Sequence, residues 1–176
     1  MPAARGDEAP PGSWRLPREV EADPRHEAIR RVLATSPRRL WAGGTLEVPF
    51  VPLTDALQRV LRDPATSPML QRGLEAATAT LTAEQRGLAA LPPTVASRQG
   101  RRVSRVLLVS NDGAERFYRQ VERLVVTHAP RVLACVLACD SPTLGALLPG
   151  ATGVVKLVLT GHKAAAAAVL RALAAP

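Results

Sequence analysis

Uninterrupted apolar runs alternate with amphipathic segments throughout the C-terminal half of the chain. The apolar runs cover residues 105–110, 131–139 and 154–159, and such runs are typical of strands buried on both faces. Residues 114–128, 143–148 and 162–174 carry the features of helices that follow these strands. This alternation predicts a layered α/β domain in which right-handed crossovers connect the strands.

The N-terminal half of the chain predicts mainly helices. They are expected over residues 24–35 and 54–63, from residue 67 onward, and from a capping box at 82–85 to about residue 91. Residues 45–50 are predicted to be extended, and Pro49 would confine such a strand to a sheet edge. Residues 1–24 are rich in proline and poor in large apolar side chains, which predicts disorder. The chain therefore divides into a disordered arm (1–24), a helical segment (25–90) and an α/β domain (91–176).

Several function classes are excluded by composition. None of the 176 residues lies in an uncharged apolar run long enough to span a membrane, and the N-terminus does not have the form of a secretory signal. Cys135 and Cys139 would lie about 13 Å apart along one strand, too far for a disulfide, so both are expected in the core. These features predict an intracellular protein, without distinguishing cytoplasm from nucleus.

Chemistry-bearing side chains follow the three predicted strands. Asp112, Asp140 and His162 would meet at one edge if all the strands were parallel, which leaves a weak enzyme hypothesis open. Capping of the following helices explains the two aspartates by itself and is the better-supported interpretation, because every helix needs a cap. The chain has no glycine-rich phosphate loop, and its three histidines lie in different elements. We therefore expect no catalytic residue, no metal and no cofactor.

A basic excess points to an anionic partner. The formal charge is +8, and the basic residues are 21 arginines and only 2 lysines, a bias that GC-rich coding would also produce. Arg98, Arg101 and Arg102 precede the first strand of the α/β domain, and a second set (Arg116, Arg119 and Arg123) shares one helix face. Aromatic residues make up only 3% of the chain, so contact with nucleic acid would be made through phosphates and shape.

The C-terminal half resembles the kink-turn-binding ribosomal-protein superfamily, of the ribosomal L-seven-Ae type. The similarity covers about residues 91–174 and is carried by Asn111-Asp112 after a strand, by Leu144-Gly145 and by the loop 149–153. It implies a three-layer α/β/α sandwich with a small, four-stranded mixed sheet, preceded here by the helical segment and the disordered arm. It also implies association with RNA or with a ribonucleoprotein.

The family reads kink-turns with a Gly-x-Asn-Glu-x-x-Lys pattern just before the first strand. Those places hold Leu91, Pro93, Thr94 and Ser97 in this chain, so the base-reading asparagine and glutamate are missing. Diverged relatives that are protein subunits of ribonuclease P look similar, because they keep the sheet and change the reading helix.

From these observations we expect a non-catalytic RNA-binding subunit of a ribonucleoprotein, which contacts structured RNA and other protein subunits. The expected RNA contacts are Arg98, Arg101, Arg102, Gly150, Thr152 and Lys163. The alternative is a protein–protein scaffold subunit that contacts no RNA and lays its helical part, 54–90, against a partner.

Overall fold

The structure, a computed structural model, describes residues 13–96 and 98–175. Within these ranges the strands are β1 (Pro37–Arg39), β2 (Glu47–Val51), β3 (Leu70–Arg72), β4 (Arg105–Val109), β5 (Val132–Leu137) and β6 (Leu157–Thr160). The helices are α1 (Arg18–Glu21), α2 (His26–Thr35), α3 (Asp55–Arg62), α4 (Leu74–Ala89), α5 (Pro93–Ala96), α6 (Glu115–Thr127), α7 (Ser141–Leu147) and α8 (Lys163–Leu173). None of these helices combines the length and the apolar character that crossing a bilayer requires.

The strands form one mixed sheet in the order β1-β2-β5-β4-β6-β3. The central strands β2, β5 and β4 are parallel, whereas β1 pairs with β2, β6 with β4, and β3 with β6 in the antiparallel sense. The predicted α/β class with a mixed sheet is confirmed. The sheet has six strands rather than four, because residues 37–72 contribute β1, β2 and β3.

Helices cover both faces of the sheet, which makes three layers. Along β4, Val106 and Leu108 point into one core, and Leu107 and Val109 point into the other. The first core is closed by α1, α2, α3, α7 and α8, and the second by α4 and α6. Because consecutive residues of a strand point to opposite faces, double coverage requires the continuous apolar run that the sequence displays.

The direction of β6 differs from the predicted parallel crossover. Helix α7 has seven residues and is about 10 Å long, whereas the preceding β5 is about 20 Å long. The helix is therefore too short to return the chain to the edge where β5 begins. Val155 N–H instead donates to the carbonyl of Ser141 at 3.0 Å, and β6 starts beside the end of β4 and runs back along it.

Strand β3 replaces the helix predicted from residue 67. Ser67–Met69 makes only a 3-10 turn, and β3 then pairs with β6. Gly73, with φ of 87°, turns the chain into α4, whose first residue is Leu74. The capping box predicted at 82–85 is wrong, because Thr82 lies inside this helix. A three-residue strand carries too little periodicity to be recognised locally.

Strand β2 lies one strand inside the edge, contrary to the prediction from Pro49. The edge strand β1 pairs with it, and Phe50 N–H donates to the carbonyl of Ser36 at 2.8 Å. Pairing of β2 with β5 begins only at Phe50, beyond the proline. Successive amides of a strand point to opposite sides, so an N–H at residue 49 would face β5, where pairing has not yet begun. The proline therefore removes no hydrogen bond from either strand pair.

Residues 13–24 depart from the predicted disordered arm. Leu16 and Val20 are fully buried in the first core, and Arg15 accepts a hydrogen bond from Val103 N–H at 2.8 Å through its carbonyl. Two apolar anchors and an ordered backbone contact suffice to hold this short segment against the domain. Residues 1–12 lie outside the described part of the chain.

Candidate nucleic-acid interface

A cleft of about 660 Å³ lies at the edge of the sheet where β4 and β5 begin. Its walls come from α1, from the second half of α4, from the chain between α5 and β4, and from the first residue of α8. Six basic and two acidic side chains line it: Arg18, Arg98, Arg102, Arg105, Arg131 and Lys163, with Glu19 and Glu84. The cleft is therefore strongly electropositive.

Strand direction brings these basic residues together. The parallel strands β4 and β5 begin at the same edge, where the carbonyl of Arg131 accepts hydrogen bonds from Ser104 N–H at 2.8 Å and Arg105 N–H at 3.1 Å. Strand β6 is antiparallel to them and ends at this edge, where Thr160 Oγ1 accepts from Val106 N–H at 2.8 Å. Helix α8 consequently starts here, which adds Lys163 to the wall.

Glu84 binds two of the arginines in the inner part of the cleft. One carboxylate oxygen lies 2.6 Å from Arg105 Nη2, and the other lies 3.1 Å from Arg131 Nη1. The exposed fractions of the side chains are 22% for Glu84, 13% for Arg105 and 10% for Arg131. Two cations therefore share one carboxylate in a poorly hydrated position, and one positive charge is left over.

Arg131 has a donor that no acceptor satisfies. Its Nη2 atom is buried and has no hydrogen-bond partner in the structure, although the residue lines the cleft. A buried, charged donor of this kind favours an anion nearby. His128 lies three residues before Arg131. It adds no positive charge, because burial and the charge of Arg131 lower the pKa of its imidazole.

Arg102 has a structural role in addition to its place in the cleft. Its guanidinium lies 2.5 Å from Glu21 and donates to the carbonyl of Leu16 at 2.9 Å, which ties α1 to the start of β4. Arg18, Arg98 and Lys163 are exposed, and their side chains form no hydrogen bond or ion pair within the described ranges. These three residues are the ones most available to a ligand.

The predicted contact residues fall at two opposite edges of the sheet. Arg98, Arg102 and Lys163 line the cleft, and the neighbouring Arg101 is exposed but does not line it. Gly150 and Thr152 lie in the loop after α7, at the edge where β4 and β5 end. The length of β5 separates the two groups, so the six residues do not lie on one surface, and their role as RNA contacts stays a prediction.

The loop 149–153 is instead held close to α7. A Cβ atom on Gly145 would lie 2.2 Å from the carbonyl oxygen of Gly153, so only glycine allows this approach. Gly150 and Gly153 have φ values of 72° and 89°, which glycine adopts without strain. The glycine of the Leu144-Gly145 pair is thus explained by the close packing of the loop against α7.

The residues of the weak enzyme hypothesis also separate. Asp112 accepts from Ser141 N–H at 3.0 Å and from Ser141 Oγ at 2.7 Å, and Asp140 caps the same helix by accepting from Thr143 N–H at 2.9 Å. Burial raises the pKa of Asp112, but the hydrogen bonds from Ser141 outweigh it and leave the pKa below its usual value. His162 lies at the opposite edge with Lys163, so the three residues cannot form one site.

The cysteines are core residues, as predicted. Both are buried and unpaired, and burial raises the pKa of Cys135 to about 12 and that of Cys139 to about 11. Neither thiol is therefore ionised near neutral pH. Among the described residues, no cluster of three or more histidine, cysteine or acidic side chains could hold a metal ion.

The second basic set, on α6, is separate from the cleft. Arg119 pairs with Glu115, and its guanidinium lies 4.4 Å from the centre of the Trp41 ring. Arg116 is exposed in the first turn of α6, at the edge where β4 ends. Neither Arg116 nor Arg119 lines the cleft.

Sequence reasoning missed Glu84, Arg105 and Arg131 as residues of the site. Arg105 and Arg131 are the first residues of the runs 105–110 and 131–139, and a cation at the start of each of two parallel strands was the available signal. Glu84 offered no such signal, because its partners lie 21 and 47 residues away in the chain.

The fold and the cleft define a three-layer α/β protein with an arginine-rich cleft at one edge of its sheet. No protein-family model matches the chain, and no curated protein sequence is significantly similar to it.

Proposed function

We propose that the protein is a non-catalytic RNA-binding subunit of a ribonucleoprotein and that it binds the phosphates of structured RNA in the cleft. The observation that carries the proposal is the convergence of six cations at the edge where β4 and β5 begin, namely Arg18, Arg98, Arg102, Arg105, Arg131 and Lys163. Both acids in the cleft are already paired, since Glu84 binds two arginines and Glu19 lies 3.8 Å from Arg171.

The chemistry of the cleft favours phosphate over base recognition. Guanidinium groups match the geometry of phosphate oxygens, and the cleft residues that the structure describes include no aromatic ring on which a base could stack. Phosphate contacts position a protein on a folded RNA without reading its sequence. This agrees with the loss of the base-reading asparagine and glutamate in the family that the sequence resembles.

The position of the cleft relative to that resemblance adds support. The family's RNA-reading element would correspond to residues 91–97. Leu91 is the first residue of this stretch and Arg98 directly follows it, and both line the cleft. The proposal therefore places RNA on the same side of the domain as in that family, with arginine–phosphate contacts in place of base contacts.

The first test is native purification with and without ribonuclease, followed by sequencing of the RNA that co-purifies. One structured RNA that is enriched and that holds protein neighbours in the complex would support the proposal. Protein neighbours that persist after digestion, with no RNA enriched, would overturn it in favour of a protein–protein scaffold.

The second test assigns binding to the cleft through its salt dependence. The double variant Arg98→Gln/Lys163→Gln should bind the enriched RNA more weakly, and its slope of log affinity against log salt should fall by about 1.5, at about 0.7–0.9 per phosphate contact. The control Arg116→Gln/Arg62→Gln removes the same charge from exposed helix positions outside the cleft. Equal slopes in the two double variants would contradict a cleft-centred interface.

A further inference from the structure

We infer that the cleft receives a terminal phosphate of RNA, a monoester with three free oxygens, rather than a phosphodiester within a strand. This inference rests on the proposed function, because it names the part of the RNA that enters the cleft. It is carried by the donors that the cleft leaves uncommitted and by the size of the cleft.

The uncommitted charged groups belong to four different cationic side chains. Arg105 has no donor to offer, since its Nε and Nη2 bind Glu84 and its Nη1 donates to the carbonyl of Ser104 at 2.7 Å. Arg131 keeps Nη2 without a partner. Arg18, Arg98 and Lys163 are exposed, line the cleft and form no side-chain hydrogen bond or ion pair within the described ranges. Four separate cations therefore remain to bind one ligand.

Four cations match a monoester better than a single diester. A phosphodiester has one negative charge and two free oxygens, whereas a terminal phosphate has three free oxygens and a charge of about −1.5 to −2 at pH 7. The monoester therefore offers both more negative charge and more acceptor oxygens to Arg131, Arg18, Arg98 and Lys163 than a diester does.

Position and burial point to the same ligand. Arg131 is 8% exposed and borders the cleft from its inner side, whereas Arg98 and Lys163 are exposed. Lys163 is also the first residue of α8, an eleven-residue helix whose amino end favours negative charge.

The volume fits one terminal unit. About 660 Å³ lies within the usual range of small-ligand pockets, about 300–1,000 Å³. Leu88, Leu91 and Val103 supply an apolar wall on which the terminal sugar and base could rest. The same chemistry would bind a free nucleoside monophosphate, so the experiment must distinguish the two sources.

The experiment compares the affinity of the full chain for two synthetic hairpin RNAs that have a single-stranded 5′ extension. They differ only in a 5′-monophosphate or a 5′-hydroxyl, and adenosine monophosphate serves as a third probe. We expect the wild-type protein to bind the 5′-monophosphate RNA about tenfold more tightly than the 5′-hydroxyl RNA. We expect adenosine monophosphate alone to bind more weakly than either RNA.

Substitutions in the cleft test whether it is responsible for the preference for the 5′-monophosphate RNA. Arg131→Lys keeps the charge but removes the guanidinium, and Lys163→Gln removes an exposed cation, so either should reduce the tenfold preference to about twofold or less. Arg116→Gln lies outside the cleft and should leave the ratio of the two affinities unchanged. The quantity compared is the ratio of the affinities for the two RNAs, measured for each variant. A general loss of positive charge weakens the binding of both RNAs and therefore does not produce the same change in this ratio.

The outcomes separate this inference from the proposed function. Equal affinities for the two RNAs would overturn the terminal-phosphate site while leaving RNA binding in place. Failure to bind either RNA would overturn the proposed function as well. Tight binding of adenosine monophosphate without RNA binding would keep the phosphate site and assign it to a free nucleotide.

Discussion

The substitution Glu84→Gln tests the electrostatic account of the cleft. It keeps the shape of the side chain and removes the one carboxylate, among the residues that the structure describes, that pairs with both Arg105 and Arg131. We expect the variant to be less stable than wild type, because two poorly hydrated guanidinium groups then face each other without their shared carboxylate.

The magnitude follows from the burial of the three side chains. Removing one partner of a buried ion pair costs about 3–5 kcal/mol, and exposed pairs contribute about 0–1 kcal/mol. Exposed fractions of 22%, 13% and 10% place this cluster nearer the buried limit. We expect a loss of about 2–3 kcal/mol in the free energy of unfolding, which lowers the melting temperature by about 5–10 °C for a chain of this length.

The assay is urea and thermal unfolding followed by circular dichroism, in chloride buffer and again with inorganic phosphate. Phosphate at about ten times its dissociation constant should restore about 1.4 kcal/mol to the variant, since it binds the folded state alone. Glu115→Gln is the matched control. It breaks the exposed pair with Arg119, in which both side chains are more than half exposed, and should cost less than about 0.5 kcal/mol.

The reasoning would be refuted if Glu84→Gln were as stable as Glu115→Gln. In that case the carboxylate would not be compensating a buried excess of positive charge. The charge argument for an anion in the cleft would then lose its basis.

Two further predictions concern other parts of the fold. Burial raises the pKa of Glu122, but hydrogen bonds from the backbone amides of Leu46 and Thr45, both at 2.8 Å, and from a tryptophan ring outweigh it and lower the pKa below 4.5. Glu122→Gln should therefore lower the free energy of unfolding by about 1–2 kcal/mol at pH 7. The difference in unfolding free energy from wild type should vanish as the pH falls from about 4.5 through the lowered pKa, because the wild-type carboxylate is then protonated. A difference that is independent of pH in urea titrations would contradict this. Gly145→Ala should destabilise the protein by about 1–3 kcal/mol, because the new methyl group would meet the Gly153 carbonyl at 2.2 Å, and an unchanged melting temperature would show that the loop yields freely.

The C-terminal βα units could be predicted from the sequence because their signals are local. The runs at 105–110 and 131–139 contain β4 and β5, and the helix predicted over 114–128 contains α6. A strand covered on both faces must be apolar at every position, and a helix covered on one face must be apolar at helical spacing. Both requirements can be read within a window of a few residues.

The direction and the number of strands could not be read in the same way. Strands β1 and β3 have three residues each, too few to show any periodicity, and they exist because they pair with β2 and β6. The antiparallel course of β6 depends on how far α7 carries the chain. That is a distance in space and not a pattern in the sequence.

The basic residues themselves were evident in the sequence, and three of the predicted contacts, Arg98, Arg102 and Lys163, do line one cleft. Only the tertiary structure decided that Arg131 joins them and that Gly150 lies at the opposite edge. The physical reason is that residue type and local spacing determine what each side chain can do, whereas strand direction determines which side chains meet. Arg105 and Arg131 lie far apart in the chain and become neighbours because β4 and β5 are parallel and begin at the same edge of the sheet.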